Sequence, residues 1–291
     1  MDWEGGRRSD NVDDAPRGVG RPLAVGGGAL GLVGFILYYL LTGTAPPIEQ
    51  QPATYPPQTQ QAQRPRTPAE EQEREFVRVV LGSTEDTWPA VLATVQQQYV
   101  PPRLTVFDGA VESACGFAEE AMGPFYCPPD QRVYLDLSFF EDLRRMGAPG
   151  DFGRAYVVAH EVGHHVQNLL GIERRVRMLR SQVADRASAN AISVLTELQA
   201  DCYAGIWAHH ANAHYRSNNQ RPLISPGDVD SGFAAAASVG DDRLQRQRTG
   251  RVAPESFTHG SSAQRVSWFR NGLETGDLRS CDTFGKAGVR L

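Results

Sequence analysis

Residues 156–171 read YVVAHEVGHHVQNLLG, a stretch that predicts both a helix and a specific chemistry. Because His160 and His164 are four positions apart, a helix places both imidazoles on one face, one turn from each other. Two imidazoles in that arrangement can bind a single tetrahedral metal ion. Glu161 follows the first histidine, where its carboxylate can reach a metal-activated water without being a ligand. The stretch has the His-Glu-x-x-His form, which is typical of a zinc site with a general base.

The neighbours of this motif predict a helix that packs into a core. An apolar stripe runs beside the histidine face, so the histidines can line a cleft; it consists of Ala155, Ala159, Val162, Val166 and Leu169. Gly171 is a suitable position for the helix to end. His165 lies about 140° around the helix from His160, so it is not expected to be a ligand.

A third ligand is expected from a second helix. Gln167 and Leu170 stand where a longer form of the motif has a glycine and a third histidine, so that form is absent. Residues 196–205 read TELQADCYAG and place Glu197 and Asp201 one turn apart. Glu197 is the expected metal ligand, and Asp201 is expected to accept a hydrogen bond from the outer nitrogen of a ligand histidine. The alternative is that both are solvated surface charges, which their apolar neighbours disfavour.

The cysteines form an even set of four, which suits disulfides in an oxidising compartment. Cys115 and Cys127 flank a short, turn-rich stretch and are expected to pair with each other. Cys202 then pairs with Cys281. A cysteine metal site is disfavoured because no Cys-x-x-Cys pair occurs.

The charge balance disfavours two classes of partner. The formal net charge is −5, so no basic surplus favours nucleic acid or an anionic lipid surface. We therefore expect no nucleic acid among the partners.

The N-terminal part predicts a membrane anchor. Residues 1–22 are polar and read as a tail, whereas residues 23–41 form an uncharged apolar run of 19 residues. About 20 such residues cross a bilayer core, so a single transmembrane helix is expected. Residues 42–68 are rich in Pro and Gln and predict an extended linker. The remaining residues, 69–291, predict one globular domain.

The orientation of this anchor follows from its flanking charges. Arginines precede the apolar run and none follows it before Arg64, so the N-terminus is expected in the cytoplasm and the domain outside. The alternative is a cleaved signal peptide, since Gly43 and Ala45 are small residues at a suitable spacing. The run is longer than a signal core, and Pro46 would follow the cut, so we favour the uncleaved anchor.

Periodicity predicts an α+β domain, mostly helical, with a small sheet. Residues 69–98 read as a helix or helix pair, and short strands are predicted at 103–108, 125–127 and 132–136. Helical segments follow near 138–146, 152–170, 188–216, 226–247 and 261–274.

Several motifs in order resemble one bacterial family, the neutral zinc metallopeptidases. They are HEVGHHVQ, ELQADCYAG, the upstream GPFYCPPDQRVYLD and the downstream FTHGSSAQR, and the opening RRSDNVDD is also similar. The resemblance covers about residues 70–284. It implies a zincin-like fold, one zinc ion held by His160, His164 and Glu197, and hydrolysis of peptide or protein substrates with Glu161 as the base. His259 is the candidate that would stabilise the oxyanion, with Tyr203 as a weaker rival. The alternative is that His259 makes only a structural hydrogen bond at the start of a helix.

Two other functions use the same residues. One is a zinc-containing scaffold without catalytic activity, which the presence of Glu161 disfavours because a structural site needs no base. The other is hydrolysis of a non-peptide amide, such as a cell-wall bond. For a peptide substrate, residues 133–135 are expected to form an edge strand that pairs with the extended chain.

Overall fold

The computed structural model describes residues 1–15, 66–119, 123–219 and 222–291. The predicted transmembrane helix at 23–41 and most of the predicted linker lie outside the described residues. Within the described ranges, no helix combines the length and the apolar character that a membrane crossing requires.

Helices dominate the fold, with a four-stranded sheet and a separate hairpin beside them, so the α+β prediction is confirmed. The strands are β1 (Val12–Asp14), β2 (Arg103–Phe107), β3 (Ala110–Ser113), β4 (Gly116–Glu119), β5 (Phe125–Cys127) and β6 (Arg132–Asp136). The helices are α1 (Pro68–Ala93), α2 (Ser138–Arg145), α3 (Asp151–Leu169), α4 (Ile172–Gln182), α5 (Arg186–Asn219), α6 (Pro226–Ser238), α7 (Asp241–Thr249), α8 (Ser262–Thr275) and α9 (Thr283–Lys286), with short 3-10 turns at Pro254–Ser256 and Leu278–Cys281.

The four-stranded sheet has the order β1, β2, β6, β5. β2 lies parallel to both β1 and β6, and β5 runs antiparallel to β6. The expectation that residues 133–135 form an edge strand is therefore wrong, because β5 covers that side of β6. Among the described strands of this sheet, the edges are β1 and β5.

Helix α3 bears out the sequence pattern around the motif. Its apolar stripe is in the core, where Ala155, Ala159, Val162 and Val166 are fully buried. Gly171, with φ of 70°, follows the helix in the left-handed region that favours glycine. The chain then enters α4. Periodicity predicted neither this helix nor the hairpin of β3 and β4. The helix expected at 226–247 is interrupted at 239–240 and forms α6 and α7.

Two close helix crossings bring α3, α5 and α8 together. A Cβ added to Gly163 of α3 would lie 3.0 Å from the carbonyl oxygen of Ala200 in α5. A Cβ added to Gly272 of α8 would lie 1.9 Å from the carbonyl oxygen of Cys202 in α5. Side chains at these two glycines would force the helices apart, so the absence of a Cβ sets the spacing of the three helices.

Residues 1–15 belong to the folded domain. β1 pairs with β2, and Trp3 packs edge-on against Phe76 of α1 with ring centroids 5.4 Å apart. One compact unit comprises Met1–Ala15 together with Arg66–Leu291. The prediction of a separate tail at 1–22 is therefore wrong for residues 1–15. These residues have too little apolar surface to fold alone, but α1 and the sheet supply the core against which they pack.

Both predicted disulfides are present in the structure. Cys115, in the turn between β3 and β4, is bonded to Cys127 of β5. Cys202 of α5 is bonded to Cys281 in the C-terminal 3-10 turn. No cysteine of the chain is left as a free thiol.

Candidate metal centre

Three side chains from two helices converge beside the core. His160 and His164 come from α3, and Glu197 comes from α5, with one potential ligand atom of each lying within 4.8 Å of the others. The Nε2 atom of His160 lies 3.2 Å from one carboxylate oxygen of Glu197, and Nε2 of His164 lies 3.5 Å from the other. Two imidazole nitrogens and a carboxylate around one point are a donor set that suits zinc.

The outer nitrogen of His160 contacts an acid on α5. Its Nδ1 lies 2.9 Å from Oδ1 of Asp201, which is completely buried. With Nδ1 as the donor, Nε2 carries the lone pair and faces Glu197. Asp201 therefore lies where the sequence placed it, behind the histidine, and burial excludes the alternative of a solvated surface charge at this position.

The outer nitrogen of His164 contacts a neutral acceptor. Its Nδ1 lies 2.9 Å from Oε1 of Gln167, one turn further along α3. The amide nitrogen of Gln167 donates in turn to the carbonyl of Thr196 and to Oε1 of Gln199, both on α5. This link was missed by the sequence analysis, although the three-residue spacing from His164 to Gln167 was a signal for it.

Asp201 is also held from a third helix. Arg265 of α8 donates to both of its carboxylate oxygens, and the hydroxyl of Tyr156 donates to Oδ1. Arg265 and Tyr156 are both buried. Neither residue was predicted; Tyr156 lies four residues before His160, and Arg265 ends the motif FTHGSSAQR.

Burial and charge compete among the three candidate ligands. Burial opposes ionisation of Glu197, but the two imidazoles outweigh it and hold the pKa of Glu197 well below its usual value. Burial lowers the pKa of His164, yet Glu197 and then Glu161 outweigh it and raise this pKa to about 10. Burial also lowers the pKa of His160, and Asp201 outweighs it, so the pKa is raised. The site thus favours positive charge between its side chains, as a divalent cation would provide.

His259 lies in the loop before α8 and is about half-exposed. Asp241, at the start of α7, holds this loop through Oδ2, which accepts the backbone N–H groups of Thr258, His259 and Gly260. Its Oδ1 lies 3.3 Å from Nδ1 of His259, and this contact raises the pKa of His259. Gly260 packs against Leu198, next to the third candidate ligand. The loop therefore adjoins the site, and Asp241 is a further residue that the sequence analysis missed.

His165 faces away from this cluster. Its ring nitrogens lie 3.0 Å from the hydroxyl of Tyr126 and 2.6 Å from the carbonyl of Val100. Burial lowers the pKa of His165, so the ring is neutral and serves to join α3 to β5 and to the segment before β2. The expectation that His165 is not a ligand agrees with this placement.

A family model and a bacterial relative each match almost the whole chain. A family model described as "Putative neutral zinc metallopeptidase" matches residues 1–284. The chain is 45% identical over 303 residues to a protein of Escherichia coli (strain K12) named Uncharacterized protein YpfJ, covering 99% of this chain and 100% of that protein. It is 44% identical over 219 residues to the Mycobacterium tuberculosis protein named Uncharacterized protein Rv2575, covering 74% of this chain and 73% of that protein. No solved structure matches the chain.

Proposed function

Because the chain belongs to the neutral zinc metallopeptidase family, we propose that it binds one zinc ion and hydrolyses peptide bonds. The observation that carries this proposal is the convergence of His160, His164 and Glu197. In each histidine the outer nitrogen has a hydrogen-bond partner, so Nε2 is the atom offered to the shared ion.

The donor set fits a catalytic site better than a structural one. Structural zinc is normally closed by four protein ligands, whereas the described residues bring three together here. An open position is what a hydrolytic site needs. When bound, zinc would lower the pKa of a water molecule to about 7 and polarise the scissile carbonyl.

The chain's own residues then have separate tasks. Glu161, next to His160 on α3, would accept a proton from the attacking water and deliver it to the leaving amine. His259 would donate a hydrogen bond to the oxyanion, since Asp241 favours its protonated form. Asp241 also fixes the loop that carries His259, so the donor is held in place before substrate arrives.

Strand β5 is the candidate for substrate recognition. It is an edge of the four-stranded sheet and packs against α3, the helix of the motif. An extended peptide could pair with the edge of β5 that no described strand covers, through main-chain hydrogen bonds, which recognise the backbone with little sequence preference. A sheet with an antiparallel edge strand beside the motif helix is the basis on which we propose a zincin-like architecture.

We propose that the domain lies in an oxidising compartment outside the bacterial cytoplasm, because its four cysteines form two disulfides. β1 and β2 belong to one sheet, so residues 1–15 share that compartment. This proposal replaces the cytoplasmic N-terminus and the single membrane crossing that the sequence predicts, since one crossing at residues 23–41 would separate β1 from β2. Membrane association through residues 23–41 stays a prediction, which fractionation of cells tests.

The proposed activity is tested with Glu161→Gln in the full-length protein. This variant is expected to keep stoichiometric zinc while losing at least about 100-fold in turnover, because the base is lost and the ligands remain. Metal analysis and a proteolysis assay measure the two effects. Glu141→Gln, the same change at a partly exposed position on α2, is the matched control and should be fully active. A parent protein without zinc, or a Glu161→Gln variant as active as the parent, would contradict the proposal.

A further inference from the structure

We propose that Arg265 is a positioning residue for the metal centre, acting through Asp201 on His160. This inference rests on the proposed function, because it concerns the way in which a zinc ligand is held. In this role the guanidinium fixes the Asp201 carboxylate, and the carboxylate fixes the imidazole so that Nε2 faces the ion. Arg265 itself touches neither the ion nor the substrate.

The contact between Arg265 and Asp201 is a two-point contact. Nε of Arg265 donates to Oδ2 of Asp201 and Nη2 donates to Oδ1, both at 2.9 Å. A planar guanidinium that binds both oxygens determines the plane of the carboxylate as well as its position. Asp201 is 0% exposed and Arg265 is 4% exposed, so water does not compete for either group.

The same carboxylate oxygen that binds Arg265 also binds the ligand histidine. Oδ1 of Asp201 lies 2.9 Å from Nδ1 of His160 and accepts from Tyr156 as well. Nη2 of Arg265 is 3.2 Å from the Tyr156 hydroxyl, which places it within the same cluster. Rotation of the carboxylate would therefore break the contacts to Arg265, Tyr156 and His160 together.

A lysine could not replace the arginine in this arrangement. An ammonium group is a point charge without the fixed fork that sets a carboxylate plane. The side chain also enters from α8, whose distance from α5 is set by the close crossing at Gly272. Nη1 of Arg265 reaches the carbonyl of Val239 at 3.4 Å, which anchors the other end of the guanidinium.

The test compares Arg265→Lys with the parent by chelator competition and by NMR of the histidine side chains. Zinc affinity is expected to fall by roughly 10- to 100-fold, the usual effect of losing a partner of a metal ligand. The Nδ1–H signal of His160 is expected to be protected from exchange in the parent and to disappear in the variant. Arg270→Lys, on the same helix and stacked over Phe233, is the matched control and should keep both properties.

Failure of the inference about Arg265 can be distinguished from failure of the proposed function. If the parent binds no zinc, the proposed function fails, and the Nδ1–H signal still decides the role of Arg265. If Arg265→Lys does not fold, the double variant Asp201→Asn with Arg265→Gln replaces it, because it leaves no unpaired buried charge. A folded variant with the zinc affinity and the Nδ1–H signal of the parent would overturn the inference.

Discussion

At the scale of single residues, the site is formed by a pair of histidines on α3 and a pair of acids on α5. Each pair has a regular spacing, but the hydrogen-bond partners of these residues do not follow from that spacing. The spacing of His160 and His164 predicts their common face, since a helix has 3.6 residues per turn. That spacing says nothing about what each Nδ1 touches. One imidazole is held by the charged pair of Asp201 and Arg265, and the other by the neutral amide of Gln167. The two histidines should therefore respond differently to loss of their partners.

The two acids on α5 should also be distinguishable by their effect on zinc. Glu197→Ala removes one of the three proposed protein ligands, so zinc is expected to be lost on dialysis. Asp201→Asn removes the carboxylate charge that His160 shares with Arg265 but none of the proposed ligands, so zinc affinity is expected to fall by about 10- to 100-fold without being abolished. Chelator competition on both variants measures which of them has the lower zinc affinity.

Glu274→Ala, an exposed change on α8, is the control for these two variants and should bind zinc as the parent does. If Asp201→Asn lost zinc completely while Glu197→Ala retained the affinity of the parent, the assignment of the two acids would have to be exchanged.

At the scale of elements, β1 shows how a short polar segment can complete a sheet. Asp13 of β1 accepts hydrogen bonds from Arg103 of β2 and from Arg132 of β6, so one carboxylate joins three strands. The bond from Arg103 outweighs partial burial and, with Arg132, lowers the pKa of Asp13 to about 2. The contacts that attach β1 to the sheet are therefore expected to depend on pH.

The lowered pKa of Asp13 determines how the stability of the fold changes with pH. A carboxylate with a lowered pKa stabilises the fold above its unfolded value of 3.8, and the contribution is lost as the pH falls towards about 2. Asp13→Asn is therefore expected to lower the free energy of unfolding at neutral pH by less than about 1 kcal/mol, because the pair is partly exposed. At a pH of about 2, where half of the Asp13 carboxyl groups are protonated in the folded state, most of the difference from the parent should be lost.

Urea unfolding at the two pH values measures this, with Asp10→Asn at a fully exposed position as the control. An equal difference between parent and Asp13→Asn at both pH values would show that the ionised carboxylate does not hold β1.

At the scale of the whole molecule, two distant pieces of chain make one compact unit. Met1–Ala15 and Arg66–Leu291 share a sheet and a core. A sheet cannot form across a bilayer, so the pairing of β1 with β2 supports our proposal that both pieces lie in the same compartment. Positive charges before an apolar run favour an N-terminus and a domain on opposite sides of the membrane. The positive-inside rule considers only flanking charge, however, and takes no account of strand pairing.

The location of the two pieces can be measured by labelling single cysteines. All four natural cysteines are in disulfides, so Glu4→Cys and Arg248→Cys each introduce one free thiol at an exposed position. A maleimide that does not cross membranes is expected to label both variants in cells with a permeable outer envelope, because both thiols lie on the same side. Labelling of Arg248→Cys without labelling of Glu4→Cys would contradict the shared compartment.

Local periodicity alone determined the motif helix, its apolar stripe and the pair Glu197 and Asp201, because residues within one or two turns are placed by helix geometry alone. It also determined most strand and helix positions after residue 100. The tertiary structure decided that Arg265 meets Asp201, that Asp241 holds His259 and that β1 joins β2. These pairs are 18 to 92 residues apart, and no local pattern relates such positions. Their contacts depend on helix spacing at glycines without a Cβ and on the order of strands in a sheet, which only the folded chain settles.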